Sequence, residues 1–128
     1  MTHRILICDD EAHITRAVSM KLCRGGYDVE AVSDGQFALE AVLRETPALI
    51  ITDLQMPRID GLELSRRVRA LDKGRDVPII LLTAKRFELD TERLCTELSI
   101  AEVLMKPFSP RELLALVNTL IEPQDACV

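Results

Sequence analysis

The sequence predicts a doubly wound α/β domain, in which five parallel strands form one sheet with helices packed on both faces. Three observations carry this. Short apolar, β-branched runs alternate strictly with stripes of apolar residues at helical spacing, five of each along 128 residues. One of the runs, 48–53, is apolar almost throughout, which suits a strand covered on both faces. Polar residues stand where the runs end, at Asp9, Asp10, Asp53, Thr83 and Lys106, the end of a parallel sheet at which ligands collect.

Residues 4–8 are too few for a globular helix and end in Asp9-Asp10-Glu11, so they form the first strand. Ile14, Ala17, Val18 and Leu22 then mark a first helix, stopped by Gly25-Gly26, a pair suited to the left-handed turn that ends helices. Residues 27–32 alternate with β-branched side chains as a second strand. Asp34-Gly35 turns the chain into a second helix through Phe37, Ala38, Ala41 and Val42, halted before Pro47. Residues 48–53 are the third strand. After the turn at Met56-Pro57 and Asp60-Gly61, Leu62, Leu64, Val68 and Leu71 mark a third helix. The fourth strand, 77–82, carries Pro78 near its start, where a missing donor does least harm, and ends at Thr83. Asp90 is expected to cap a fourth helix through Leu94 and Leu98, and 102–105 to form the fifth strand. Ser109, with Pro110 at the first helical position, opens a fifth helix over 111–121. One domain over 1–122 is expected, with 123–128 a frayed tail.

Composition narrows the function classes. Hydrophobic content of 48% with 29% charged residues is ordinary for a globular chain, and no apolar stretch approaches the roughly 20 residues that cross a bilayer. The apolar run after Met1 is too short for a signal peptide, so a cytoplasmic protein without membrane contact is expected. Cys8, Cys23, Cys95 and Cys127 form no Cys-x-x-Cys pair and read as reduced thiols, mostly core filler. A net charge of −5 speaks against direct nucleic-acid binding, and no DNA-binding domain is expected within these 128 residues. The basic run Arg66, Arg67, Arg69, Lys73 and Arg75 then reads as a solvated helix face and its exit loop. His3 and His13 lack a second ligand at metal-site spacing and read as surface groups. Met20, Met56 and Met105 read as packing residues, and no glycine-rich nucleotide loop is present.

Carboxylates at the ends of strands one and three converge only if those strands are neighbours, as in the flavodoxin-like order 2-1-3-4-5. Three acids crowded in one pocket repel one another unless a cation enters. Hard oxygen ligands with room for water suit Mg²⁺, with Asp10 and Asp53 as direct ligands and Asp9 acting through water. An ammonium from Lys106 and a hydroxyl from Thr83 can neutralise and bind the oxygens of a phosphoryl group, which leaves Asp53 as the nucleophile that carries it.

Taken together these residues resemble the receiver domain of two-component response regulators. The resemblance covers essentially the whole chain, from Asp9-Asp10 through Asp53, Met56-Pro57 and Asp60-Gly61 to Thr83-Ala84 and Lys106-Pro107-Phe108. The separations agree as well, at 43 residues from Asp10 to Asp53, 30 more to Thr83 and 23 more to Lys106. The resemblance implies that Asp53 accepts a phosphoryl group from a histidine kinase or phosphotransfer protein in a Mg²⁺-dependent reaction, with Mn²⁺ as a substitute. It implies a self-catalysed phosphoacceptor, with slow autodephosphorylation, and not an enzyme acting on a separate substrate. It adds the backbone carbonyl of Gln55 to Asp9, Asp10 and Asp53 as metal ligands, places Gln55, Ala84 and Lys85 beside the phosphoryl group, and implies a cis peptide at Lys106-Pro107. The output face would lie around the fourth helix, fifth strand and fifth helix, and would bind a partner or a second copy.

Two positions depart from the family pattern. Val103 stands where an aromatic residue often follows the threonine's movement, so the switch formed by Thr83 and position 103 is expected to differ. Ser99 stands where a glycine is common, and the loop before the fifth strand is expected to take another course. Among other functions, an aspartate-dependent phosphatase of the haloacid-dehalogenase kind would need Asp-x-Asp after its first strand, where this chain has adjacent acids. A flavin-binding domain of the same fold would need a phosphate-binding loop of hydroxyl and glycine residues, which is missing. A degenerate receiver serving as an unphosphorylated scaffold is the remaining alternative, and the complete acceptor set argues against it.

Overall fold

β3 (Leu49–Asp53) and β4 (Ile79–Thr83) are buried at every position, which requires a strand on each side and a helical layer above and below. The computed structural model, which describes residues 3–56, 58–84 and 89–121, provides both. Its sheet is parallel, and the remaining strands are β1 (Arg4–Cys8), β2 (Asp28–Val32) and β5 (Glu102–Met105). The order is β2-β1-β3-β4-β5, as the convergence of carboxylates required. The helices are α1 (Ala12–Arg24), α2 (Gly35–Arg44), α3 (Gly61–Arg69), α4 (Leu89–Glu97) and α5 (Pro110–Leu120). Pro57, Lys85 and the tail over 123–128 lie outside the described residues.

Alternation along the strands divides the core. Ile5 and Ile7 of β1 join Leu49 and Ile51 of β3 under α1 and α5, whereas Leu6 and Cys8 join Ile50 under α2 and α3. The helices answer with apolar stripes, Val18 and Leu22 from α1 and Leu113 and Val117 from α5 on one face, Ala38, Val42, Leu64 and Val68 on the other. Caps agree with the sequence at three starts. Asp34 accepts from Phe37 N, Asp60 from Glu63 N and Ser109 from Glu112 N. α1 stops at Gly25-Gly26, whose second member takes φ 100.

Several expectations are corrected. α4 begins at Leu89, so Asp90 lies within the helix and is not its N-cap. Met20 and Met105 are 52% and 47% exposed; Met20 sits about 200° around α1 from buried Val18, and Met105 ends the edge strand β5. Met56 does pack against the α2/α3 side of the core. Cys8 is buried, and burial pushes its thiol up to about 12, but Cys23 is exposed and fills no core.

The basic run is not uniformly solvated. Arg66 and Arg67 pair with Glu63 along α3, whereas Arg69 is a clamp. Its guanidinium donates to Leu98 O (2.8 Å), Gly74 O (2.7 Å), Val77 O (2.7 Å) and Ser99 O (3.2 Å), tying the end of α3 and the start of β4 to the turn after α4. A 3₁₀ turn at Asp72–Gly74 folds the exit loop back beneath it.

The turn held by Arg69 does not escape the geometry a glycine would provide. Ser99 adopts φ 55, in the left-handed region. Ser99→Gly is therefore expected to stabilise the fold by about 0.5–1 kcal/mol, the left-handed strain relieved less the extra freedom glycine gains in the unfolded chain. A urea titration measures this, and a midpoint at or below wild type would contradict it.

Candidate functional site

Strand register builds the site. Parallel pairing sets Cys8 of β1 against Thr52 of β3, so the next residues, Asp9 and Asp53, leave the sheet side by side on its α1/α5 face. Thr83 ends β4 in register with Met105 of β5, and Lys106 N donates to Thr83 O at 2.7 Å. That bond carries the Lys106 side chain to the same rim. The Lys106-Pro107 peptide is cis.

The geometry is tight. Lys106 Nζ lies 3.2 Å from Asp53 Oδ2, 3.0 Å from Asp9 Oδ2 and 2.9 Å from Glu11 Oε1. The Lys106 side chain is 11% exposed and the Asp9 side chain 0%. The contacts to Asp53 and Glu11 are hydrogen bonds, whereas that to Asp9 is an ion pair with unfavourable angles, and Asp9 Oδ2 has no hydrogen-bond partner despite its burial. Its other oxygen, Oδ1, accepts from Glu11 N at 2.9 Å. Gln55 N donates to Asp53 Oδ1 at a long 3.4 Å. Gly61 packs on the Asp53 carbonyl so closely that a Cβ there would stand 2.5 Å from its oxygen, so the Asp60-Gly61 turn fits the acceptor's own backbone.

The electrostatics are incomplete. Burial, and then the charge of Asp9, raise the Asp53 carboxyl above its ordinary range, although Lys106 and the Gln55 N–H act against the rise. Burial pulls Lys106 down, but its contacts with Glu11, Asp9 and Asp53 outweigh it and hold the ammonium above the usual lysine range. Oxygens of Asp9, Asp10, Glu11 and Asp53 all lie within 4.8 Å of one another. Among the described residues four carboxylates thus face one ammonium, and a buried oxygen of Asp9 lacks a hydrogen bond. An all-oxygen set with that surplus of negative charge fits a hard divalent cation such as Mg²⁺.

A cleft of about 480 Å³ opens over these groups, walled by Asp10, Glu11, Asp53, Gln55, Thr83 and Lys106, with Ala84 at its edge. Every described residue that the sequence singled out for the site therefore meets at one place, apart from Val103. That side chain is half-buried, with Cys95 and Ile100, against the α2/α3 side of the core. Glu11 was missed as a site residue. Its signal was its place as the third acid after β1, but nothing local shows that it would meet a lysine 95 residues away. His13 is exposed at the start of α1, 3.6 Å from Glu11.

The comparisons with known proteins agree with this geometry. The response regulator receiver domain profile matches residues 5–118. The alkaline phosphatase synthesis transcriptional regulatory protein PhoP of Bacillus subtilis (strain 168) is 40% identical over 121 residues, covering 94% of this chain and 49% of that protein. The chain thus spans about half the length of the curated relatives it matches. Among solved structures, the chemotaxis response regulator CheY4 of Vibrio cholerae aligns with a TM-score of 0.87 at 29% identity, covering 94% of this chain and all of that one (100%). The receiver domain of sensor histidine kinase PA1611 from Pseudomonas aeruginosa PAO1, solved with magnesium ion coordinated in its active site cleft, aligns with a TM-score of 0.83 at 32% identity, covering 94% and 98%. With a five-stranded sheet in the order 2-1-3-4-5 and an acidic cleft at its rim, the chain belongs to the response regulator receiver domain family of two-component systems.

Proposed function

We propose that Asp53 is the phosphoacceptor of a phosphorylation-switched signalling receiver. The observation that carries this is the pairing of Asp53 Oδ2 with Lys106 Nζ at 3.2 Å in an open cleft where, among the described residues, four carboxylates meet one ammonium. An Asp53 carboxylate oxygen attacks phosphorus, an acyl phosphate forms, and the bond from phosphorus to the donor's imidazole nitrogen breaks with its electron pair leaving on that nitrogen. Lys106 holds its ammonium toward the transferred oxygens, and Thr83 stands one strand over to bind another. Asp10 and Asp53 would hold Mg²⁺ directly, with Asp9 and the Gln55 carbonyl completing its surroundings. The ion, when bound, neutralises charge on the phosphoryl oxygens.

The donor is a histidine kinase or phosphotransfer protein. Beside the cleft lies a groove of about 560 Å³, reaching Glu11, Ala84 and Lys106 and floored by Ile14, Val18 and Phe108, which offers a phosphohistidine-bearing partner footing next to Asp53. Phosphorylation then favours one conformer of the α4, β5 and α5 face, whose affinity for an output partner or a second copy changes. The protein acts in this as a self-catalysed phosphoacceptor. Among the described residues no helix is long and apolar enough to cross a membrane.

Incubation with acetyl phosphate and Mg²⁺ is expected to add one phosphate, read by intact mass, and chelation of the metal to prevent it. Labelling that ignores the chelator, or that maps to a residue other than Asp53, would overturn the assignment.

A further inference from the structure

The loop between β3 and α3 leaves the sheet directly after Asp53 and is tied at both ends by backbone. Leu54 N donates to Leu82 O at 2.8 Å, and Gly61 N to Leu54 O at 2.9 Å. Between these anchors Arg58 takes φ 67, a left-handed conformation that strains a residue with a Cβ. Such strain persists where the surroundings over-determine it.

The surroundings lie at the start of α2. Arg58 Nη2 donates to Asp34 Oδ2 at 2.5 Å, and the guanidinium sits 5.4 Å from the centroid of the Phe37 ring. Asp34 is only 7% exposed, and its other oxygen caps α2 by accepting from Phe37 N at 3.0 Å. The Phe37 N–H first, and then Arg58, hold its carboxyl below the ordinary range against the cost of burial. Phe37 is 48% exposed, which the core does not explain and a platform for Arg58 does. The neighbouring Ile59 carbonyl lies so close to Gly35 that a Cβ there would stand 2.1 Å from it. Arg58 and Ile59 are thus docked on α2.

We propose that Arg58 is a positioning residue of the phosphoacceptor site: by latching the loop to Asp34 it sets where Gln55 stands relative to Asp53. Its functional value rests on Asp53 being the acceptor. Arg58 pairs with Asp34 and faces Phe37, and it acts on Asp53 through the loop. The bond from Gln55 N to Asp53 Oδ1 is already long at 3.4 Å, so a small outward shift of the loop breaks it. The same shift would withdraw the Gln55 carbonyl from the Mg²⁺ site.

The test compares Arg58→Gly, Asp34→Asn, the double variant and Arg58→Lys. Glycine keeps φ 67 without strain while removing the side chain, and asparagine keeps the cap of α2 while removing the charge. Mg²⁺ titration by calorimetry is expected to show affinity weakened about fivefold to tenfold in Arg58→Gly and in Asp34→Asn, at or below the low end for loss of a partner outside the ligand set. The double variant is expected to be no weaker than either single one, and Arg58→Lys to recover most of the loss. In metal-free protein the Gln55 and Met56 amides of Arg58→Gly should exchange faster than in wild type. Wild-type Mg²⁺ affinity together with wild-type amide exchange in Arg58→Gly would overturn the latch. Should wild type itself neither bind Mg²⁺ nor take up phosphate, the acceptor reading fails, and the metal-free exchange still decides whether Arg58 positions the loop.

Discussion

Asp53→Asn is expected to abolish phosphate uptake completely while leaving the fold no less stable than wild type at neutral pH. The first half follows from chemistry, since an amide oxygen cannot form the acyl phosphate. The second follows from the electrostatics of the cluster. Burial and the neighbouring Asp9 raise the Asp53 carboxyl, so the folded protein binds that proton more tightly than the unfolded chain does. Stability therefore falls as pH rises from the ordinary aspartate range through the raised folded value. A neutral asparagine removes this slope. It gives up the hydrogen bond from Lys106, but Asp9 and Glu11 still face that ammonium at 3.0 and 2.9 Å. The melting temperatures of the two proteins should be close in acid and diverge in favour of Asp53→Asn toward neutrality. A variant that melts lower at neutral pH, or that still gains one phosphate, would contradict the assignment.

Lys106→Ala is expected to destabilise the metal-free protein by about 2–3 kcal/mol at neutral pH, somewhat less than the usual 3–5 for breaking a fully buried pair, because Glu11 borders solvent. Lys106 is fully ionised there, since its partners hold it above the usual lysine range even against burial. Removing it takes the one ammonium among the described residues from Asp9, Asp10, Glu11 and Asp53, and two of these acids, Asp9 and Asp53, are buried. A divalent cation takes over the lost charge, so Mg²⁺ should raise the stability of the variant more than that of wild type. Urea midpoints with and without Mg²⁺ measure both effects. A loss no larger than that of a surface substitution, or an equal response to Mg²⁺ in the two proteins, would show that Lys106 is not the principal counter-charge of the site.

Much of the fold was legible because it is written in short-range pattern. β5 occupies Glu102–Met105 as expected, and Ser109-Pro110 opens α5, since a cap and a proline act within one turn. The start of α4 was misread. Asp90 has the chemistry of a cap, but the helix continues past it to Leu89. Ser99 shows the same limit from the other side. Its side chain disfavours the left-handed turn, yet the carbonyls around it are gathered by Arg69 from another helix, and the turn keeps that shape. Arg69 itself looked like one more cation in a solvated run.

The sequence by itself determined the five strand-helix units, the doubly wound class and the delivery of Asp9, Asp10, Asp53, Thr83 and Lys106 to one rim of the sheet. These rest on periodicities of two and 3.6 residues and on where each apolar run stops, which are local properties. Only the tertiary structure decided which charges meet. Lys106 shares its ammonium among Asp9, Glu11 and Asp53, Arg58 reaches Asp34, and Gly61 closes on the Asp53 carbonyl. Those partners are brought together by parallel register and by loops folded back over the sheet, across separations such as the 95 residues between Glu11 and Lys106. A charged side chain has no preference for a partner at a given sequence distance. Its partner is whichever opposite charge the packed core places within reach.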